Sequence, residues 1–208
     1  RQRQMCIRDS YCTRNTFLSI FHKSLIIQIL EGKTMSFKNV KAGINPPDDF
    51  NSIIEIPANA KPIKYEVNKE YDALLVDRFL STAMSYPSNY GYIPQTLSED
   101  GDPLDVFVIA PHAVAVGSVI RSRPIGVMYM EDEAGIDAKI IAVPHSKLTP
   151  LYNNVKDLSD LPQLQLDQMK HFFEHYKDLE KGKWMKFNGW GKIEEARQEI
   201  LKSIQAYK

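Results

Sequence analysis

The chain has 208 residues, 26 of them basic and 26 acidic, so it carries no formal net charge at neutral pH. That length suits one domain with a buried core, and the balance offers no basic surplus for nucleic acid or an anionic membrane. Its longest oily stretch, residues 17–30, is broken by Ser19, His22, Lys23, Ser24 and Gln28, short of the roughly 18 apolar residues of a membrane span.

Residues 1–34 differ in character from the rest of the chain. They hold both cysteines, Cys6 and Cys12, and six basic side chains against two acidic ones, Asp9 and Glu31. We expect them to stand outside the fold. Translation upstream of the start, an expression artefact, or a basic, acid-poor organellar targeting segment would each account for them. A cleaved secretory signal fits worst, because no small-residue cleavage site is evident. Gly32-Lys33-Thr34 matches the end of a phosphate-binding loop, but Ile27 stands where its first glycine belongs. Residues 35–208 form the expected domain, with 20 basic and 24 acidic side chains and no cysteine. That composition fits a reducing, cytoplasmic setting, an organelle following only if residues 1–34 are a genuine targeting segment.

The domain reads first as strands. Ile53 to Ile56 is ended by Pro57; Ile63 to Val67 and Leu74 to Phe79 come next, parted by polar turn residues. Val106 to Ala110 is closed by Pro111. Val119 to Met130 and Ile136 to Val143 flank Glu131-Asp132-Glu133-Ala134-Gly135 as a hairpin, and Trp184 to Phe187 adds one more strand. Helices come last. Asp160 caps one with Pro162 in its first turn and Gly182 at its end, burying Met169, Phe172, Phe173, Tyr176 and Leu179. The other starts near Ile193, with Ala196, Ile200, Leu201 and Ile204 inward. Short strands followed by two helices predict a small closed barrel with helices outside.

The densest chemical signal is Asp100-Gly101-Asp102-Pro103-Leu104-Asp105, three carboxylates in a loop shaped by Gly and Pro. Two carboxylates about 4 Å apart repel by about 4 kcal/mol at an effective dielectric near 20, so convergence calls for a cation between them. Hard oxygen donors select Mg²⁺, Mn²⁺ or Ca²⁺. An EF-hand fails on spacing, since Gly is second rather than sixth. Further acidic groups are Asp132, Glu133 and Asp137, with Lys139 on the same strand face as Asp137, and Glu66 beside Lys64, with Glu55 on the preceding strand. Lysine beside carboxylate on separate segments points to one cavity for metal ions and an anion. Lys64, Arg78 and Lys139 supply the anion side, with Tyr90, Tyr176 and Lys177 as further donors. Arg78 alone reads equally as an ion pair with Asp77 or Asp72. Tyr92 reads as core and Tyr90 as functional.

These segments resemble the soluble family I inorganic pyrophosphatases, in their short bacterial form. The resemblance rests on Glu55-Ile-Pro-Ala-Asn, Lys64-Tyr-Glu66, Val76-Asp-Arg78-Phe, Tyr86-Pro-Ser-Asn-Tyr90-Gly-Tyr, Asp100-Gly-Asp-Pro-Leu-Asp105-Val, Asp132-Glu-Ala-Gly-Ile-Asp137-Ala-Lys139, Val143-Pro-His and His171-Phe-Phe-Glu-His-Tyr176-Lys177. It implies a mainly β fold, a five-stranded OB-type barrel plus two C-terminal α-helices. It also implies Mg²⁺-dependent hydrolysis of inorganic diphosphate by a metal-activated water, Mn²⁺ or another divalent ion being a substitute. Glu55, Glu66, Asp100, Asp105, Asp132 and Asp137 would be metal ligands and Asp102 the proton acceptor. Lys64, Arg78, Tyr90, Lys139, Tyr176 and Lys177 would hold substrate. A homohexamer built as a dimer of trimers is implied too, with His171, His175 and Asp178 at a subunit contact.

Rival readings are fewer. His171-Phe-Phe-Glu-His175 also fits an inverted zinc-peptidase pattern, without that enzyme's surroundings. An OB-fold nucleic-acid-binding module would display basic and aromatic groups, whereas seven carboxylates repel a polyanion. A metal-dependent hydrolase of another phosphoanhydride or phosphoester differs only in substrate.

Overall fold

The computed structural model of this chain describes residues 36–133 and 135–208. The expectation about residues 1–34 lies outside them. From Phe37 to Lys208 the described residues belong to one unit. Its strands are β1 (Gly43–Asn45), β2 (Asp49–Ile56), β3 (Ile63–Asn68), β4 (Ala73–Phe79), β5 (Asn89–Tyr92), β6 (Asp105–Val108), β7 (Val119–Asp132), β8 (Gly135–Pro144) and β9 (Met185–Gly191). Its helices are α1 (Gln163–His175) and α2 (Ile193–Ala206).

Five strands close a ring. The order β2-β5-β6-β8-β7 returns to β2 through a second pairing, in which Phe50 to Ile53 run antiparallel to Val119 to Ser122. Among the described residues, only β6 and β8 pair in parallel. This is the expected five-stranded barrel, with β1 and β9 as added edge strands. Strands β3 and β4 form a separate two-stranded ribbon. Closure spares the ring exposed strand edges, which otherwise invite pairing with other chains. Where β2 meets β5, a Cβ on Gly91 would collide with the Ile53 carbonyl, so only glycine permits that approach.

In the ring, β6 and the latter part of β8 are buried on both faces. On β6, Val106 and Val108 enter one apolar cluster while Phe107 enters the other; on β8, Ile140 and Ala142 part in the same way from Ile141 and Val143. Period-two alternation thus sorts the strand residues between two helices. Helix α1 closes one cluster with Leu166, Met169, Phe172 and Phe173, and α2 the other with Ala196 and Ile200. Burying side chains of this size contributes roughly 2–3 kcal/mol each.

Several expected boundaries shift. Helix α1 ends at His175, not Gly182, and Leu179 is 72% exposed rather than buried. Asp160 caps no helix. It closes a 3₁₀ turn, accepting from the Lys156 and Asp157 N–H groups, and Pro162 precedes α1. In α2, Leu201 is exposed and Ser203 takes a buried place. The last strand starts at Met185, leaving Trp184 outside. Strands β1 and β5 have no counterpart among the elements expected from sequence. Among the described residues, no helix is long and apolar enough to cross a membrane.

Candidate active site

Strand register brings distant residues together at one end of the ring. Tyr92 stands opposite Asp105 across β5–β6, and Asp105 opposite Lys139 across β6–β8. Asp137 shares a strand face with Lys139, two residues on. The Lys139 ammonium donates to Asp105 Oδ2 at 2.6 Å and lies 2.8 Å from Asp137 Oδ2. It also approaches the Tyr90 hydroxyl at 3.4 Å, while that hydroxyl donates a short hydrogen bond to Asp105. Beneath the lysine, the Tyr90 and Phe173 rings each sit 5.4 Å from Nζ, a cation–π floor continuous with Tyr86, Phe107 and Phe172.

The ribbon covers this floor. Glu55, near the end of β2, is buried and accepts the Val67 N–H of β3 at 2.7 Å. Lys64 and Glu66 share a face of β3 and form a close ion pair, with Asp77 3.5 Å from the lysine. The acidic loop is pinned by its own backbone. Ser98 N–H donates to the Asp102 carbonyl at 2.7 Å and Asp102 N–H to Asp100 Oδ1 at 3.0 Å. Gly101 takes φ +89° at the tip, a conformation that side chains resist.

The resulting cavity measures about 230 Å³. It gathers Glu55, Lys64, Glu66, Tyr90, Asp100, Asp102, Asp105, Asp132, Asp137, Lys139 and Tyr176 from the expected set. Arg78 and Lys177 do not line it. Lys177 is buried beside it, donating to Asp132 Oδ2 at 2.9 Å with Glu133 at 3.7 Å. Arg78 stands opposite Lys64 on the ribbon, 3.6 Å from Asp77, one of its two alternative partners, and 3.8 Å from Glu180. Six lining residues lie outside the expected set: Val67, Pro103 and Phe173, and three polar ones. Tyr92 is half-buried at the cavity rather than core, Tyr86 contributes to the wall, and Lys69 reaches Asp102 at 3.3 Å. The 33-residue separation of that last pair leaves no local signal.

Charge is out of balance. Seven carboxylates line the cavity against three lysines, Lys64, Lys69 and Lys139. Burial pushes Glu55 up to about 8, and repulsion from Asp105 and Glu66 adds to the shift although the Val67 N–H opposes it. Asp100 is raised by burial and by Asp137, Asp105 and Asp102. Burial would pull Lys139 down, but Asp105 and Asp137 more than offset it and hold the ammonium charged. Burial, then Asp105, keeps Tyr90 protonated and able to donate. Among the described residues no three His, Cys, Asp or Glu side chains are arranged to cage a metal ion. The oxygen-only donors, with Glu55 and Asp100 raised, nevertheless fit hard divalent ions, which would relieve the crowding. The zinc alternative finds no such support: His175 Nδ1 lies 2.8 Å from Asp178 Oδ2, and His171 is exposed.

Comparison with known proteins matches this geometry to a family. The profile described as Inorganic pyrophosphatase spans residues 52–208. Inorganic pyrophosphatase 2 of Pseudomonas syringae pv. tomato is 63% identical over 173 residues, covering 83% of this chain and 96% of its own. Inorganic pyrophosphatase of Escherichia coli K12 is 60% identical over 174 residues, covering 84% and 99%. The solved inorganic pyrophosphatase of Coxiella burnetii superposes with a TM-score of 0.79 at 51% identity, covering 81% of this chain and all of its own. With that span and identity, the chain belongs to the inorganic pyrophosphatase family.

Proposed function

We propose that the chain hydrolyses inorganic pyrophosphate to two phosphates, with Mg²⁺ as its working metal. The observation that carries this is the carboxylate-rich cavity built around the buried Lys139, in a member of that family. Divalent ions held by Glu55, Glu66, Asp100, Asp105, Asp132 and Asp137 would supply a water of lowered pKa and screen the anion's charge. The chain's own residues do the rest. Lys139, charged and fixed over its aromatic floor, faces the anion with Lys64, and Tyr90 and Tyr176 offer protonated hydroxyls. Arg78 and Lys177 would take the outer phosphate oxygens. Asp102, exposed at the loop tip and held through Oδ1 by Lys69, accepts the water's proton. No covalent bond to the protein is required.

The test is phosphate release from pyrophosphate with Mg²⁺, with and without chelator, beside a nucleoside triphosphate and a phosphomonoester. Release from pyrophosphate that chelator abolishes supports the reading. Preferential cleavage of either comparison substrate overturns it.

A cytoplasmic homohexamer completes the proposal. Exposed Leu164, Leu179 and Trp184, with the His171–His175 face of α1, supply surface for subunit contact. Light scattering on the purified chain measures its mass directly. Residues 1–34 are proposed to lie outside the working domain. A chain beginning at Met35 is expected to fold and keep full turnover; loss of soluble protein would make the segment structural.

A further inference from the structure

Among the described residues, two buried atoms of charged groups lack hydrogen bonds, and they face one another. Arg78 Nε and Glu180 Oε1 are both withdrawn from solvent without a partner, 3.8 Å apart. Leaving such groups unbonded is costly, and closing the gap to a normal bond takes about 1 Å of movement. The other Glu180 oxygen, Oε2, lies 3.5 Å from Lys183 Nζ, and Asp77 lies 3.6 Å from Arg78 Nη1.

The chain around Glu180 gives the contact its meaning. Glu180 N–H donates to the Lys177 carbonyl at 2.8 Å, so one turn holds both residues. Lys177 is anchored to Asp132 on the barrel. Arg78 belongs to the ribbon opposite Lys64, and its charge is felt at the Tyr86 and Tyr176 hydroxyls. Glu180 therefore spans the two segments that bring the outer cations to the cavity.

We propose that Glu180 is a positioning residue for Arg78: its carboxylate takes the guanidinium Nε–H, so that the Nη groups, Nη1 releasing Asp77, fork onto phosphate oxygens. This rests on the reading that Arg78 binds the substrate anion. A planar guanidinium held at Nε is oriented as well as charged, which bidentate recognition of phosphate requires. Glu180 touches no reacting atom and acts through the arginine.

Steady-state pyrophosphate hydrolysis with saturating Mg²⁺ tests the role in wild type, Glu180→Gln, Arg78→Ala and the double variant. For Glu180→Gln we expect KM to rise about tenfold, kcat to fall less, and the melting temperature to move little. In the Arg78→Ala background the same change should add nothing, because the residue it orients is gone. Unchanged KM in Glu180→Gln, or losses that multiply in the double variant, would overturn the role. If circular dichroism shows that Glu180→Gln does not fold, Glu180→Asp is put through the same cycle under the same criteria. A wild-type chain that releases no phosphate breaks the functional reading itself, an outcome distinct from both.

Discussion

The cavity has two walls of different kinds. On the barrel wall, Tyr90, Asp105, Asp137 and Lys139 come from β5, β6 and β8, with the lysine only 4% exposed and packed on aromatic rings. The opposite wall carries Lys64, Glu66, Lys69 and Asp102 on the ribbon and the acidic loop, where Asp102 and Lys69 are both largely exposed. Buried ion pairs resist screening but are costly to break; exposed ones contribute about 0–1 kcal/mol and give way readily. The difference assigns each wall a task. On the proposed function, the barrel wall would hold geometry, and the loop wall would move a proton and admit substrate.

Mutation can break or sharpen that contrast. The largest expected effect is on the barrel wall. Asp105→Asn should lower turnover at least ~10²-fold at saturating Mg²⁺, and lower the melting temperature too, because Lys139 and Tyr90 lose a shared partner. Near wild-type turnover would remove Asp105 from the machinery and end the distinction. Asp102→Asn should act on rate alone, with a loss of about tenfold or more, an altered pH profile and an unchanged melt. A lowered melting temperature there would mean that the loop wall is structural after all.

A charge pair remote from the cavity serves as control, and its effect is the smallest. Asp49 on β2 is bound by Arg121 on β7 across the closing pair of strands. The arginine's hydrogen bond outweighs desolvation and holds the Asp49 carboxyl below its usual 3.8. A depressed folded pKa means that the stabilisation is present above the unfolded value and is lost as pH falls through the folded one. Asp49→Asn should thus melt about 2–4 °C lower near neutral pH with kcat unchanged, and the deficit should shrink below pH 4. A deficit constant down to pH 3, measured by thermal melts, would show that the pair contributes nothing through its charge.

How far can these walls be read from sequence? The barrel wall is legible where period two alone puts Asp137 with Lys139 on a common face, as it also puts Lys64 with Glu66 on the ribbon. The acidic loop announces itself by density. Strand β5 does not, since Asn89-Tyr-Gly-Tyr92 carries a glycine that reads as a turn and in fact serves a close backbone approach. Helix α1 reads too long because residues 176–180 continue as hydrogen-bonded turns after the helix ends. Contacts such as Lys69 to Asp102 and Arg78 to Glu180 depend on how the ribbon lies against distant loops. No local pattern encodes that.

Strand β2 changes partner along its length, from β7 over residues 50–53 to β5 over residues 53–56, and Glu55 comes directly after the changeover. The carboxylate nearest that junction accepts from Val67, twelve residues on, beside a strand pairing that joins residues some seventy positions apart. Catalytic competence is therefore expected to arrive late in folding and to be lost early under strain. Mild urea that loosens this seam should silence the enzyme while most of its secondary structure still stands.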